Sequence, residues 1–587
     1  MSRTNRLLIN NAETCVDEML QSIAWQNPGQ RLLKGHRVII REDAADFCSS
    51  GHVSTICGGG SGHEPFSAGF VGRGMLTAAV AGSVFASPPP NDILAAINAV
   101  ASPAGTLLIV ANYTGDRLNF GIALERAKAA GKKVNMVVVG EDCALESQDK
   151  TAGRRGLVGI VIVMKLAGAL AEQGRSLDEI TQACTHLSKA MGTIGVSLSG
   201  CSIPGTGSSF KLDETEMELG LGAHGEAGVK RMKILPANET VEVMIDHMMN
   251  PSHASHITID NGQKIALTMN NLGGLSEIEM FVLGRRAIEY LESKGLSVVR
   301  CYNGHFMTSL DMAGFNLNIC KVNDETLKCL DADTNAPGWP RNTGFNRRNN
   351  DPVVPLNDKS LEAVGESVNF PDKNKLQVGH ALIEAITLAC QSLISNEAFL
   401  NDLDTSAGDG DCGSTLKRGA NEVLNRSRSW KCENVEQVLL QMAGCAEKSM
   451  GGASGGLYSL FFTAASHRAQ AYTVESWNDC LAVGIAAISK YGGAEPGDRT
   501  MLDALVATRN SLETSISENA SIKTAAQNAA KVARQAAEAT ATMKAKAGRA
   551  SCVAAKLLTQ PDPGAMAVAI WVEALAKTLY NQYNGSK

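Results

Sequence analysis

The first part of the chain, residues 1 to about 335, alternates short β-branched runs with amphipathic stretches. Thr106–Val110 and Lys133–Val139 have the length and composition of strands, and Phe120–Ala130 between them has apolar residues at helical spacing. A strand, a helix and a second strand in this order are the repeating unit of an α/β fold. The pattern therefore predicts an α/β domain with largely parallel strands.

A second set of alternating elements follows further along the same part of the chain. Strand-like runs occupy 264–269, 296–300 and 316–322, and a helical pattern covers 278–294. This set is separated from the first by about a hundred residues. We therefore expect two α/β lobes within the first domain.

The pattern changes after residue 336. Residues 336–366 contain four prolines among several asparagines and no periodicity, which is typical of an exposed linker. From 373 onward helical periodicity runs almost without interruption and ends in an alanine-rich stretch, 522–545, whose small side chains let helices pack closely. The predicted bounds are 9–336 for the α/β domain, 337–372 for a flexible linker and 373–580 for an all-helical domain.

Composition and charge narrow the classes of function. The chain has 587 residues, of which 44% are hydrophobic, so it can fill several cores and is not a disordered protein. The net charge of −6 gives no basic surface for nucleic acid, which we exclude as a partner. Fifteen cysteines without a Cys-x-x-Cys pair fit a reducing compartment. The first residues lack a signal sequence and the longest apolar run, Leu157–Met164, is short of the ~20 residues of a membrane span, so we expect a cytoplasmic protein.

The strongest chemical signal is an acidic, glycine-rich segment at 402–413. Asp404, Asp409 and Asp411 lie within eight residues of one another, and the glycines at 408, 410 and 413 allow tight turns. A hard divalent cation would remove the repulsion between these carboxylates. The alternatives are a solvated acidic loop or a capping turn, whereas an EF-hand is excluded because no register places both the glycine and the final glutamate correctly. A metal site explains the segment best.

Further glycine-containing turns separate the predicted helices. The segment 450–458 has four glycines before a helix and could cradle an anion with its backbone N–H groups, although it lacks the Gly-Lys-Ser/Thr ending of a P-loop. A plain turn between helices is an equal alternative. Polar turns recur at 496–501, 547–551 and 562–564. Turns at one end of a helical bundle could together form a nucleotide site.

In the first domain two polar loops follow predicted strands. Residues 58–65 combine four glycines with a histidine directly after the run 53–56, and 112–116 follow the strand at 106–110. Ligands bind at the carboxyl ends of strands in open α/β sheets. The two loops can therefore converge on one small substrate, although each taken alone is equally consistent with an ordinary strand-to-helix turn.

The segment 220–225 satisfies the Gly-x-Gly-x-x-Gly pattern of dinucleotide sites. We reject that interpretation because the acidic segment before it, 212–219, is not expected to be a buried strand. His224 lies among glycines that leave its imidazole accessible. A lone histidine is more often structural than catalytic, so spacing alone does not assign it a role.

Several of these segments together resemble one family, the ATP-dependent dihydroxyacetone kinases, in particular the animal triokinase/FMN cyclase group. The resemblance covers nearly the whole chain and is carried by ordered motifs in both domains. The motifs are GGGSGHEP (58–65), NYTGDRLNFG (112–121), GLGAHGEAG (220–228), AGDGDCG (407–413), PGDRTMLD (496–503) and DPGA (562–565). The family joins an α/β substrate domain to a helical-barrel nucleotide domain, which is the division that periodicity predicts.

The resemblance implies roles in the substrate domain. The imidazole of His224 would add to the carbonyl carbon of a triose to form a hemiaminal, which glycerol cannot form. His63 and Asp116 would be the other catalytic residues, with Asp116 the preferred base for the attacking hydroxyl. The implied substrate contacts are Gly60, Ser61, Gly62, His63 and Asp116.

It also implies a metal-nucleotide site in the helical domain. Asp404, Asp409 and Asp411 would hold Mg²⁺ against the phosphates of ATP. The implied nucleotide contacts are Asp409, Gly410, Asp411, Cys412, Ser454, Gly455, Arg499, Thr500, Asp562, Pro563 and Gly564. Arg499 could instead be a structural cap, because arginine in such turns often bonds carbonyl groups.

The implied activities are phosphorylation of dihydroxyacetone and D-glyceraldehyde by ATP, and cleavage of FAD to AMP and riboflavin cyclic 4′,5′-phosphate with Mn²⁺ or Co²⁺. A kinase without the cyclase activity and a regulatory triose-binding protein are the alternatives. The resemblance also implies a homodimer. Two positions depart from the family: Ala111 stands where a substrate-contacting lysine is usual, and Ala453 where a hydroxyl residue is common.

Overall fold

The chain divides into two compact units, Met1–Val354 and Pro355–Lys587. The computed structural model describes residues 7–144, 153–208, 210–340, 373–406, 408–430, 435–469, 473–554 and 558–584. The predicted linker 337–372 therefore lies outside the described residues from 341 onward.

The β-branched runs of the first lobe form a six-stranded sheet in the order β1-β2-β4-β3-β5-β6. Its strands are β1 (Gln30–Leu32), β2 (Val38–Arg41), β3 (Ser54–Ser61), β4 (Ala78–Val84), β5 (Thr106–Ala111) and β6 (Val134–Val139). Strands β4, β3, β5 and β6 are parallel, and every residue of β5 is buried. This is the parallel arrangement predicted from the strand-helix-strand pattern, since central parallel strands are covered on both faces.

Helices pack against this sheet, and some of them connect its strands. They are α1 (Cys15–Gln26), α2 (Ala44–Ser49), α3 (Pro90–Ala99), α4 (Thr114–Ala129), α5 (Gly159–Glu172) and α6 (Leu177–Lys189). Helix α5 is buried along nearly its whole length, including Lys165. The Lys165 ammonium donates to the carbonyls of Cys329 (2.8 Å) and Ala332 (2.6 Å), which replace its lost water.

The second lobe contains another six-stranded sheet in the order β11-β10-β7-β14-β12-β13. Its elements are β7 (Met191–Ser197), the ribbon β8 (Ser202–Ile203) and β9 (Gly207–Ser208), β10 (Glu216–Leu219), β11 (Lys230–Lys233), α7 (Ala237–Met249), β12 (Lys264–Asn271), α8 (Glu277–Ser293), β13 (Ser297–Gly304), β14 (Gly314–Lys321) and α9 (Asp324–Asp331). Only β12 and β13 are parallel neighbours in it. The expectation of largely parallel strands is wrong for this lobe, because residue types do not reveal the direction of the pairing partner.

One local expectation was also wrong. The acidic segment before Gly220 does form a strand, β10, and Met217, Glu218 and Leu219 are buried in it. Burial of Glu218 is possible because its carboxylate accepts from the Gly228 N–H and from Arg231. A loop and the antiparallel β11 follow instead of a helix, so the dinucleotide interpretation fails for this different reason.

The second unit is helical throughout its described residues, as the periodicity predicts. Its helices are α10 (Lys373–Ser395), α11 (Glu397–Thr405), α12 (Cys412–Ser427), α13 (Val435–Ser449), α14 (Gly452–Ser466), α15 (Val474–Gly492), α16 (Met501–Ser517), α17 (Ile522–Ala539) and α18 (Pro563–Asn584). Consecutive long helices pack side by side, and α18 closes the ring against α10. The alanine-rich α17 buries one alanine per turn between α16 and α18, which is the predicted packing role.

The ring of helices encloses an apolar cavity of about 800 Å³. Its lining does not include the acidic segment at 404–411, which lies in the turn between α11 and α12. Within the described ranges, no helix is both long enough and apolar enough to cross a membrane.

Candidate active site

His224 lies in the loop between β10 and β11, with about a quarter of its side chain exposed. Its Nδ1 is 2.8 Å from Oε1 of Glu226, and its backbone N–H donates to Oε2 of the same carboxylate at 3.0 Å. A carboxylate only accepts, so the ring proton resides on Nδ1. In the neutral ring the Nε2 atom therefore keeps its lone pair, which is the form that can act as a nucleophile, whereas the positive charge that His224 exerts on its neighbours belongs to the doubly protonated ring.

The Glu226 carboxylate is charged at neutral pH. Burial by itself would raise its pKa, but the hydrogen bond and the charge of His224 outweigh that effect and lower the pKa to about 2. The pair thus places a full negative charge beside the ring of His224.

Three rings surround the imidazole of His224. The centroids of His63, Tyr113 and Phe85 lie 4.9, 5.0 and 5.1 Å from that of His224, each meeting it edge to face. Such aromatic walls limit the access of water to the imidazole.

His63 is buried beside this ring and stacks on Phe85. Its Nδ1 lies 2.7 Å from the carbonyl oxygen of Thr308, which can only accept, so Nδ1 carries the proton. Burial, together with the charge of His224, lowers the pKa of His63 to about 3. Its Nε2 is a buried neutral acceptor with no hydrogen-bond partner in the described chain, on a ring that lies beside His224.

Asp116 lies in the first turn of α4 and is also buried. Burial raises the pKa of this carboxyl, while a hydrogen bond with Ser87 and the charge of His224 oppose the rise. Its Oδ1 atom has no partner among the described residues. Two buried acceptors without partners, on His63 and Asp116, thus accompany one accessible nucleophile, and a substrate hydroxyl would satisfy either acceptor.

The predicted substrate loop is largely part of strand β3, which continues to Ser61. The Ser61 hydroxyl donates to the Gly82 carbonyl (2.8 Å), and the Gly62 N–H donates to the Glu64 carboxylate (3.0 Å). A Cβ atom on Gly60 would lie 2.8 Å from the backbone nitrogen of Ala86. The absence of a side chain at Gly60 therefore allows the segment that carries Phe85 to lie close to the end of β3.

Ala111, where the family has lysine, is the buried last residue of β5. The backbone of residue 156 passes so close that a Cβ on Gly156 would lie 2.9 Å from the Cα of Ala111. Arg155 is a cation close to Gly222, and its guanidinium bonds the Asp142 carboxylate and the Gly220 carbonyl, each at 2.6 Å.

In the helical unit the three predicted metal ligands do come together. Carboxylate oxygens of Asp404, Asp409 and Asp411 all lie within 4.8 Å of one another. Oδ2 of Asp404 accepts from the backbone N–H groups of Asp411 and Cys412, which folds the turn back on α11. The cluster offers only hard oxygen donors, the donor set that suits Mg²⁺.

The geometry of this turn requires glycine at two positions. A side chain at Gly408 would collide with the Asp404 carboxylate, and Gly410 has a φ of +76°. The turn therefore requires the glycines that the sequence places between the acids.

Other predicted nucleotide residues lie at the starts of neighbouring helices. Asp562 precedes α18 and accepts from the Ala565 N–H (2.8 Å), and burial raises its pKa to about 6. Gly564 packs against Met501 at the start of α16, so Pro563 and Gly564 lie beside Thr500. The charges of Asp404, Asp411 and Asp562 all act on the Cys412 thiol, whose pKa burial raises to about 12. The turns before α12 and α18 thus face a common region.

Arg499 and Thr500 have structural roles as well. Thr500 caps α16 together with Asp503, and Arg499, which is fully buried, donates to the Gln560 carbonyl at 2.7 Å. Its Nε and Nη1 atoms have no partners in the described chain. The capping alternative for Arg499 is therefore present, and two of its donor atoms remain available.

Ser454 and Gly455 lie in the first turn of α14, after Gly451 and Gly452, which both have positive φ. Arg418 on α12 donates to the carbonyl of Met450 (3.1 Å), which ties this turn to the acidic one. Helix starts carry partial positive charge, so the arrangement suits a polyphosphate next to metal-binding carboxylates.

Comparison with known proteins agrees with this geometry. The Dak1 domain model matches residues 21–338 and the DAK2 domain model matches residues 406–577. A triokinase/FMN cyclase of Mus musculus is 45% identical and covers 99% of this chain and 100% of its own length. The chain belongs to the dihydroxyacetone kinase family.

Two solved structures of this family extend the comparison. The dihydroxyacetone kinase from C. freundii in complex with AMP-PNP and Mg²⁺ has a TM-score of 0.63 and 32% identity, covering 97% of this chain and 99% of its own. A dihydroxyacetone kinase operon co-activator has a TM-score of 0.51 and 32% identity over 56% of this chain, and 99% of its own length is covered. The fold of this family thus occurs both in a kinase and in a regulator.

Sequence reasoning missed three residues of the site: Glu226, Thr308 and Arg155. Glu226 was within the matched motif at 220–228, and its position two residues after His224 could have signalled a contact. Thr308 and Arg155 are distant in sequence from His63 and Glu226, and no local sequence pattern identifies them.

Proposed function

We propose that this chain phosphorylates dihydroxyacetone and D-glyceraldehyde with Mg²⁺-ATP and, with Mn²⁺, cleaves FAD to AMP and riboflavin cyclic 4′,5′-phosphate. The observation that carries the first activity is the accessible Nε2 of His224 beside the buried acceptors of His63 and Asp116. We place the substrate domain at 9–336 and the nucleotide domain at 373–580.

The covalent step is an addition to the substrate carbonyl. The lone pair on Nε2 of His224 forms a bond to the carbonyl carbon, the π pair moves to oxygen, and oxygen takes a proton from water, which leaves as hydroxide and is neutralised by the solvent. The ring retains its Nδ1 proton and gains a positive charge, which faces the Glu226 carboxylate. Glycerol has no electrophilic carbon and is excluded by chemistry rather than by size.

The held triose would then present a hydroxyl to the acceptors. Asp116 is our choice for the base, because its raised pKa places its proton affinity closer to neutral pH than that of an ordinary carboxylate. His63 stays neutral and acts as a hydrogen-bond acceptor that orients the hydroxyl. The substrate contacts we propose are Gly60, Ser61, Gly62, His63 and Asp116.

The helical domain would supply the phosphoryl donor. Asp404, Asp409 and Asp411 would hold Mg²⁺, whose chemistry is to neutralise charge on the phosphates. Residues at the helix starts would hold the nucleotide: Asp409, Gly410, Asp411, Cys412, Ser454, Gly455, Arg499, Thr500, Asp562, Pro563 and Gly564. FAD carries its own nucleophilic ribityl hydroxyl, so its cleavage would require this domain and no hemiaminal.

Parallel assays test the proposal. ATP consumption is measured with dihydroxyacetone, D-glyceraldehyde and glycerol, and FAD turnover is measured with Mg²⁺ and with Mn²⁺. Turnover of glycerol at the rate of the trioses would contradict the covalent mechanism. Absence of all FAD cleavage would reduce the function to a kinase, and absence of all turnover would favour a regulatory triose-binding protein.

We further propose a cytoplasmic homodimer, formed through the α/β units. The support is family membership and the absence of any disulfide among the described cysteines. Light scattering after size-exclusion chromatography tests it, and a single protomer mass at micromolar concentration would contradict it.

A further inference from the structure

Glu226 contacts His224 through both of its carboxylate oxygens. Oε1 accepts from the ring Nδ1–H at 2.8 Å and Oε2 accepts from the backbone N–H of the same residue at 3.0 Å. The side chain is thus a two-point clamp on the residue that carries the nucleophile. Of these two donors, only the ring can move its proton to another atom. The carboxylate can therefore determine which ring nitrogen carries the proton, in addition to orienting the loop.

The carboxylate of Glu226, whose side chain is partly exposed, also lies close to Gly222 and to a cation. A Cβ atom on Gly222 would lie 2.0 Å from Oε2 of Glu226 and 2.7 Å from Nη1 of Arg155. The carboxylate and the guanidinium therefore flank one point, which only a glycine leaves vacant. Arg155 itself is fixed by the buried Asp142, so the cation cannot swing away.

We propose that Glu226 is a positioning residue that fixes the tautomer of His224, that Gly222 leaves the space that its carboxylate occupies, and that the nearby positive charge of Arg155 favours the carboxylate in that position. With the proton on Nδ1, the lone pair is on Nε2 and the hemiaminal bond can form. When it forms, the ring becomes cationic, and the adjacent carboxylate stabilises that charge. The inference deepens the proposed covalent step and rests on it.

A glutamine at position 226 tests whether the carboxylate fixes the tautomer of His224, because an amide offers one acceptor and one donor. The backbone N–H of His224 cannot move its proton, so the amide oxygen satisfies it and the NH₂ group faces Nδ1. The imidazole then relieves the donor–donor clash by moving its proton to Nε2. E226Q thus preserves size and most hydrogen bonds but removes the nucleophilic lone pair.

Two spectroscopic readouts on the full-length protein follow the ring and the adduct separately. In protein labelled with ¹⁵N-histidine, the nitrogen shifts of His224, assigned by their loss in H224A, report which nitrogen carries the proton. With dihydroxyacetone labelled at C2 with ¹³C, the hemiaminal appears as a tetrahedral-carbon signal on the protein. H224A should lack that signal altogether.

We expect E226Q to show the Nε2–H tautomer and a hemiaminal population reduced about 100-fold or more, since a charged hydrogen bond is lost and the tautomer is wrong. G222A keeps the carboxylate but displaces it, and we expect it to shift the same signals. Glu239 is exposed at the start of α7, so E239Q is the matched control and should match the wild type.

The outcomes separate this inference from the function on which it rests. If His224 kept the Nδ1–H tautomer in both E226Q and G222A, and both proteins were folded, the positioning role of Glu226 would be refuted. A wild-type protein without the tetrahedral signal would refute the hemiaminal, and the tautomer measurement, which needs no substrate, would still decide on Glu226. E226Q that forms the adduct at the wild-type level would also overturn the inference.

Discussion

Replacing Asp409 with asparagine should affect activity and the stability of the metal-free protein in opposite directions. The carboxylate oxygens of Asp404, Asp409 and Asp411 lie within 4.8 Å of one another. At that distance two unit charges in water repel by ~0.9 kcal/mol, and physiological salt roughly halves this value. D409N removes two such pairs, so it relieves about 1 kcal/mol of repulsion, which is reduced by the loss of other interactions of Asp409 and by the closeness of these residues in the unfolded chain.

The same substitution removes charge that would hold Mg²⁺, so ATP-dependent phosphorylation should be lost. Calorimetric unfolding in EDTA and in excess Mg²⁺ measures both effects. A bound ion at a hundred times its dissociation constant stabilises the wild type by about 2.7 kcal/mol. We expect that Mg²⁺-dependent gain to vanish in D409N while its stability in EDTA is unchanged or slightly higher.

Asp402 provides the control, because it lies in the same segment, is exposed and is not part of the cluster. D402N should keep both the response to Mg²⁺ and the turnover of ATP. The metal assignment would be refuted by D409N protein that keeps wild-type turnover at ordinary Mg²⁺. The electrostatic reasoning would be refuted if D409N lost stability in EDTA and D402N did not.

Three further outcomes are expected. H224A should reduce triose phosphorylation about 10²–10⁴-fold, because covalent orientation of the substrate is lost, and it should leave FAD cleavage near the wild-type rate. Loss of both activities in folded H224A protein would contradict the assignment of FAD cleavage to the helical domain. Burial lowers the pKa of Lys165 from 10.5 to about 8, so the unfolded chain holds the extra proton between these pH values and Lys165 contributes a rise of about 3 kcal/mol in the free energy of unfolding across them. Because buried cysteines titrate over the same range with the opposite sign, denaturant titrations should show this rise in the difference between the wild type and K165M. G60A places a Cβ 2.8 Å from the backbone of Ala86 and should raise the KM for dihydroxyacetone, whereas G121A, which meets open space, should not.

Periodicity predicted the elements of the fold better than their pairing. The strand at 106–110, the helix at 278–294 and the helical second half all appear within a few residues of the expected bounds. The direction of pairing in the second sheet did not follow from residue type, because β-branched side chains suit either direction. Strand β10 was missed because an acidic sequence is a poor strand candidate until Arg231 and the Gly228 N–H are known to satisfy Glu218.

The glycine-rich end of β3 shows the reverse difficulty. Glycine is depleted in strands, so the segment 58–61 was expected to be a loop. A Cβ on Gly58 would lie 2.3 Å from the Val80 carbonyl, and one on Gly60 would strike the chain at residues 85–86. The glycines are needed because other backbone passes close, which only the assembled sheet reveals. The same limit hid Thr308, whose carbonyl sets the tautomer of His63 from 245 residues away.

The helical unit decides between an enzyme and a regulator, because the α/β unit alone resembles both a kinase and a co-activator. Three carboxylates held within 4.8 Å repel one another unless a cation is bound. A protein that only sensed a triose binds no polyphosphate, so the repulsion within this cluster would bring it no benefit. Both proposed reactions, in contrast, act on a polyphosphate whose charge must be neutralised, and only phosphorylation needs the lone pair of His224. Loss of the acidic cluster should therefore remove both activities, whereas loss of the hemiaminal should remove one, and a regulator would show neither pattern.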